Sequence, residues 1–262
     1  MSTLAYAMSD SMTMLRRNLR HMRRYTGLTL MLVGMPVVFL LLFVYVFGGT
    51  LGAGLGVSGG RADYLDYVVP GIILMTLASV GQGTAISVAM DMTDGIIARF
   101  RTMAIFRPSV LTGHVLGSLI QAALSLAVVV GVAFAIGFRP AAGALEWIAA
   151  IGVLAMVALA LTWLCVALGL GAKSVETASN VPMPLMLLPF LGSGFVPTDT
   201  MPAGLRWFAE YQPFTPIIET VRGLLMGTPI GDSAVIAVAW CAGITVVSFR
   251  RAHRAYNRDP VR

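Results

Sequence analysis

Charge is what this 262-residue chain has least of. Asp, Glu, Lys and Arg together make up 11% of it, against 57% apolar residues, and the mean hydropathy is +0.83. A water-soluble domain carries about a quarter charged residues, so a globular protein in free solution is excluded. Lysine is nearly missing, with Lys173 alone. The two cysteines, Cys165 and Cys241, fall in separate apolar stretches, which excludes a disulfide framework and marks them as small packing residues. His21, His114 and His253 are too scattered for a zinc site, and no H-E-x-x-H string occurs. Alternation over segments of about 10 residues is absent too, which excludes a membrane β-barrel.

What the chain does have is six uncharged stretches, 25–60, 67–90, 108–138, 147–172, 177–198 and 233–249. A helix needs about 20 apolar residues to cross the hydrocarbon, so the reading is all-α and polytopic. Spans are expected at 28–47, 66–90, 113–137, 146–171, 180–197 and 231–249. The net charge of +6 could suggest nucleic-acid binding, but its placement points elsewhere. With both termini cytoplasmic, only Arg61, Arg139, Arg206 and Arg222 of the 18 basic residues stay outside, as the positive-inside rule requires. The first apolar run follows about 25 polar and basic residues, so the first span is read as retained rather than as a cleaved signal.

Before that span, Leu4, Met8, Met12, Leu15, Leu19 and Met22 recur at helical spacing, with Arg16, Arg17, Arg20, Arg23 and Arg24 beside them. This predicts an amphipathic helix over 4–24 lying in the inner interface. Pro36 is expected to kink the first span, and 48–60 reads as a Gly-rich outer loop. Its Gly54-Leu-Gly56-Val-Ser-Gly59 string follows a span and not a strand, so it is no nucleotide fingerprint. Gly171-Ala-Lys173-Ser174 lacks the Gly that a phosphate loop needs before its Lys.

The second span is the most polar, with Thr76, Ser79, Gln82, Thr84 and Ser87. Those groups should face protein or water, either to bond neighbouring helices or to line a path. The fifth stretch holds Pro182, Pro184 and Pro189 and should be short and bent, with the kink at Pro189. Met183, Met186 and Phe190 lie on it, suited either to lipid and packing or to an apolar cavity. Beyond it, 198–227 offers two helix starts, Thr200 before Pro202 and Thr215 before Pro216. Trp207, Phe208, Tyr211 and Phe214 gather there at the depth of an aromatic belt. Two short re-entrant outer helices are expected, with Glu219 and Arg222 paired at i, i+3.

The inner connection 91–108 carries most of the information. Asp91 or Asp94 can cap a helix, Ile96, Ile97, Phe100, Met103 and Phe106 supply apolar contacts, Arg99, Arg101 and Arg107 supply charge, and Pro108 ends the run. An apolar and cationic helix held between two spans is either an interfacial turn or an element that carries force from a cytoplasmic partner.

Three strings, Asp94-Gly95-Ile-Ile-Ala-Arg99-Phe100-Arg101-Thr-Met, Gly194-Phe195-Val-Pro197-Thr-Asp-Thr-Met201-Pro202 and Gln212-Pro213-Phe-Thr215-Pro216-Ile-Ile-Glu219-Thr-Val-Arg222-Gly-Leu, resemble the permeases of daunorubicin/doxorubicin-resistance-type exporters, a branch of the type 2 ABC exporters. The resemblance spans essentially the whole chain. It departs from the family at Ala104, where Pro is usual, and at His114, where a basic residue is frequent.

The resemblance implies a permease for ATP-driven export of an amphiphilic drug, antibiotic or lipid-like compound in the cell membrane. Two copies of a separate ATPase, carrying the ATP and Mg, would drive two permease copies, a homodimer by preference. By that likeness 91–108 is the coupling helix, with Asp91, Asp94, Gly95, Arg99, Phe100, Arg101 and Phe106 at the ATPase, and 4–24 is the interface helix beside it. Spans two and five line the path through Thr76, Ser79, Gln82, Met183, Met186 and Phe190. The outer gate is 198–227 with its approach, through Phe195, Pro197, Met201, Pro202, Gln212, Pro213, Glu219 and Arg222.

Phosphoryl transfer needs a phosphate cradle, a metal-binding acid and a positioned base. None is spelled here, so no cofactor or metal is expected on this chain and no ATP hydrolysis by it. A permease for a lipid-linked glycan or polymer shares the six-span plan. An ATP-independent secondary transporter would instead call for intramembrane acids or inverted repeats, and Glu219 is the one acid expected appreciably within the membrane.

Overall fold

The computed structural model describes residues 12–17, 26–54, 60–95 and 109–257, and every regular element among them is helical. Residues 4–11 and 18–24 of the expected interface helix lie outside the described residues. So do 96–108 of the inner connection, with Arg99, Phe100, Arg101 and Phe106.

Residues 12–17 are helical. The first long element runs through α1 (Thr26–Leu42), a π-helical turn (Phe43–Phe47) and α2 (Gly48–Gly54). Then come α3 (Arg61–Thr93), α4 (Ser109–Ala135), α5 (Ala144–Gly171), α6 (Val175–Asn180), α7 (Met183–Leu187), a 3-10 turn (Thr198–Thr200), α8 (Ala203–Tyr211), α9 (Phe214–Met226) and α10 (Ser233–Asn257). Among the described residues, five helices are long and apolar enough to cross a membrane: Leu30–Ala53, Arg61–Thr93, Val110–Ala135, Ala144–Gly171 and Ser233–Tyr256.

α3 is the hub, packed against α1, α4, α5, α6, α7 and α9. Its apolar window is 83% buried within the chain, against 17–39% for the other four spans. Its Val68, Ile72 and Leu77 meet Leu40, Val44, Leu161 and Ile218 in the main core. Pro70 sits inside α3 without interrupting it, because packed neighbours can satisfy a backbone group that proline frees. A smaller cluster, with Val88, Val110, Leu111, Val115, Val166, Leu170 and Tyr256, packs at the C-terminal end of α3, the side expected to be inner.

Several expectations change. The Gly-rich 48–60 stretch is not all loop, since Gly48–Gly54 continues the first helix, and it is the π turn that interrupts the α geometry while Pro36 is carried inside α1. Residues 180–197 do not form one helix. α7 covers five residues and is followed by hydrogen-bonded turns, because three prolines remove backbone donors and their rings crowd the preceding turn. The inner connection after α5 is partly helical, as α6, capped by the Ser174 hydroxyl accepting from the Thr177 N–H.

The cap assignments also change. Asp91 and Thr93 still belong to α3, and Asp94 is its C-cap, with its N–H on the Met90 carbonyl. Thr200 donates to the Pro197 carbonyl in the 3-10 turn, and α8 begins after Pro202. Thr215 lies inside α9, which begins after Pro213. Its hydroxyl is drawn into tertiary bonds instead, donating to the Ala209 carbonyl and accepting from Gln212 Nε2.

Candidate functional site

Functional side chains gather at the two ends of α3, its C-terminal end on the side expected to be inner and its N-terminal end on the side expected to be outer. At the inner end Asp91 is 5% exposed. A buried carboxylate is costly unless ionic and hydrogen-bonding partners surround it, and here they do. Arg17 approaches in a bidentate grip, Nη1 to Oδ2 at 2.9 Å and Nη2 to Oδ1 at 2.6 Å. His114 Nε2 lies 3.1 Å from Oδ2. The Arg17 side chain is about one-third exposed, while His114 is buried on α4. Gly95 follows with φ +67°, a left-handed geometry that lets the chain leave α3 sharply. Across the inner surface the Ser174 hydroxyl beside Glu176 holds its carboxyl below the ordinary carboxylate range.

Along α3 the predicted path residues are bonded within the bundle. Thr76 and Ser79 are fully buried and donate to the carbonyls of Ile72 and Met75, one turn back. Thr84 donates to Ser118, which meets Thr162, so one hydroxyl chain ties α3, α4 and α5 together. Gln82 donates to the Ser179 carbonyl at the end of α6. Met183 is exposed, whereas Met186 and Phe190 pack on the main core.

At the outer end the segment after α7 folds back on α1 and α3. The rings of Phe190 and Phe195 stack with centroids 4.2 Å apart, and Phe43 meets Phe195 at 4.5 Å. Phe39 closes on Phe190 at 5.7 Å. Beside this aromatic knot Gly71 and Gly194 touch backbone to backbone.

Arg222 ties the same region from α9. It is 7% exposed. Nη1 donates to Glu219 at 2.6 Å, as the i, i+3 spacing predicts, and Nη2 donates to the carbonyls of Ser193 at 2.6 Å and Tyr67 at 3.1 Å. Its guanidinium also lies 3.8 Å from the Tyr67 ring centroid. One cation therefore holds three segments at once, a task suited to a planar fork of donors. Gln212 donates to the Leu188 carbonyl. Pro197, Met201, Pro202 and Pro213 frame the turns between these helices. On α8, Trp207 and Tyr211 are exposed, whereas Phe214 turns into the core.

Phe190, Phe195, Gln212, Glu219 and Arg222 thus share the outer end, while Asp91, Asp94 and Gly95 share the inner one. Sequence reasoning missed the partners that organise these groups. Arg17 appeared only as one of five flanking arginines, His114 only as a scattered histidine and a departure from a pattern, and Tyr67, Gly71 and Ser193 carried no local signal.

Residues 10–226 match the ABC-2 type transporter family. Over 255 residues, 97% of this chain and 88% of the relative, the sequence is 28% identical to the daunorubicin resistance ABC transporter permease protein DrrB1 of Streptomyces coeruleorubidus. Over 213 residues, 81% of this chain and 75% of the relative, it is 24% identical to a probable doxorubicin resistance ABC transporter permease protein, DrrC, of Mycobacterium tuberculosis. With five helices among the described residues long and apolar enough to cross a membrane, α3 buried by the others, and a family match over most of its length, the chain is a multi-pass membrane protein of the ABC-2 type transporter family.

Proposed function

We propose that this chain is the permease of a drug exporter, offering an amphiphilic compound a route across the cell membrane while a separate ATPase supplies the work. The observation that carries the reading is the 28% identity to a daunorubicin resistance permease, which runs along 97% of the chain. Both termini are cytoplasmic in this reading, which leaves the basic residues concentrated inside. The 180–197 stretch with its turns completes a sixth, broken crossing, and α8 and α9 are the re-entrant outer helices. Irregular backbone at membrane depth is tolerated where protein buries it, and Arg222 with Gln212 supplies donors for the carbonyls that the break frees.

Two copies of this chain pair with the second and fifth stretches of each facing the other, and two ATPase copies, holding the ATP and Mg, dock on residues 91–108. Asp91, Asp94, Gly95, Arg99, Phe100, Arg101 and Phe106 lie on that coupling segment, with residues 4–24 alongside. The nucleotide-closed ATPase then favours one arrangement of the bundle through differential contacts. Gln82, Met183, Met186 and Phe190 border the route, and the Phe190–Phe195 stack with the Arg222 tie closes it outside.

The test is Arg101→Glu in the complex of permease and ATPase. Reversing that charge should abolish co-purification of the ATPase and doxorubicin-stimulated ATP hydrolysis. Retention of both at the wild-type level would remove 91–108 as the docking element.

A further inference from the structure

We infer that Asp91 is a joint that makes the N-terminal segment and both ends of the inner connection move as one body, with Arg17 and His114 as positioning residues for the coupling of ATP hydrolysis to transport. Its carboxylate joins chain segments 74 and 23 residues apart in sequence, the 12–17 helix through Arg17 and the start of α4 through His114. Residues 91 and 114 bracket the connection between α3 and α4, so the base of that connection is pinched shut.

A second contact presses the same parts together. A methyl group on Gly113 would lie 2.6 Å from Met14 Cβ and 3.2 Å from the Met14 carbonyl carbon, so only glycine lets the 12–17 helix approach α4 this closely. Met14 in turn packs on the inner cluster with Val110, Val115 and Tyr256. The ionic and apolar contacts therefore fix the same three-part body.

The physics of a buried charge gives the joint its character. Withdrawing Arg17 or His114 leaves the Asp91 carboxylate short of partners in an apolar surround, which is strongly unfavourable, so the body shifts as a unit and does not bend at its base. A push on the connection is then passed into α3 and α4, and through Arg17 toward α1. α3 carries it on as one helix. Gly71 and Tyr67, which meet the outer segment, lie 20 and 24 residues from Asp91, about 30 and about 36 Å along the axis. The joint thus connects mechanically to the Arg222 tie.

The functional consequence rests on the exporter reading, whereas the geometry does not, and two measurements separate them. In the purified full-length permease, Arg17→Met and Asp91→Asn should speed tryptic cleavage within the inner connection by about tenfold. Arg17→Lys, which keeps the charge but not the bidentate grip, should fall between Arg17→Met and wild type, and Gly113→Val should behave like Arg17→Met without touching a charge. In nanodiscs with the ATPase, Arg17→Met should keep ATP hydrolysis while doxorubicin moved per ATP falls about tenfold, with Arg17→Lys restoring part of the ratio. Unchanged cleavage in Arg17→Met and Gly113→Val overturns the joint. So does a parallel fall in hydrolysis and transport, since a merely structural role lowers both. If the wild-type complex moves no doxorubicin, the exporter reading fails while the cleavage series still decides the joint. Should Asp91→Asn not fold, the Arg17→Met and Arg17→Lys pair carries the test.

Discussion

Gly71 of α3 and Gly194 of the outer segment meet so closely that a methyl group on Gly71 would stand 2.6 Å from the Gly194 carbonyl oxygen. Two backbones can cross at that distance only without side chains between them, as small residues permit in membrane helix packing. The contact is where the hub helix holds the proline-broken stretch, close to the aromatic knot and to Arg222.

Gly71→Ala should therefore lower stability by about 1–3 kcal/mol, the usual range for overpacking. Gly131→Ala, at a position with no neighbour within 4 Å, should change it by less than about 0.5 kcal/mol. Thermal unfolding of both variants in the same detergent checks this, and equal midpoints would remove the crossing as a constraint.

Arg222 and Glu219 are unequal partners in their ion pair, because the Arg222 side chain is 8% exposed and that of Glu219 38%. Arg222→Met should cost about 3 kcal/mol, since it strips donors from the Ser193 and Tyr67 carbonyls as well as from Glu219. Glu219→Gln should cost under about 1 kcal/mol, as expected for a half-exposed pair. Arg222→Lys keeps the charge but not the fork, and should resemble Arg222→Met more than wild type. Unfolding midpoints for the three variants give the ranking.

The Phe190–Phe195 stack should show direct coupling. A double-mutant cycle with Phe190→Leu and Phe195→Leu should return about 0.5–1.5 kcal/mol of interaction energy. Additive effects would mean that the two rings act independently.

Orientation is accessible through cysteine labelling. Cys165 and Cys241 are buried and should stay unreactive in the intact protein. Gly143→Cys, before α5, should react with an impermeant maleimide in right-side-out vesicles, and Lys173→Cys, after α5, only once the vesicles are opened. The reverse pattern would place the inner connection outside.

Much of this arrangement was legible in sequence because local terms dominate it. Apolar runs long enough to cross a membrane mark the five long helices, and their ends differ from expectation by a few residues, as the extra turns of α3 at Arg61 and Thr93 illustrate. Glu219 and Arg222 are paired by a helical spacing that any reader of the chain can see. The rest depends on distant contacts. Nothing within a short window tells Asp91 that Arg17, 74 residues earlier, will grip it. Thr215 carries a cap residue's signature, yet tertiary bonds to Ala209 and Gln212 draw its hydroxyl elsewhere. The prolines at 182, 184 and 189 announced a broken stretch but not the fold-back that brings Phe195 onto Phe43.

In the proposed exporter this chain is a passive route set in motion by a separate ATPase. The most direct measurement is doxorubicin uptake into inside-out vesicles holding the permease alone, or the permease with the ATPase of the same exporter. Uphill accumulation should require both subunits and hydrolysable ATP, and should be insensitive to collapse of the proton gradient. Accumulation by the permease alone, driven by a proton gradient without ATP, would contradict the account.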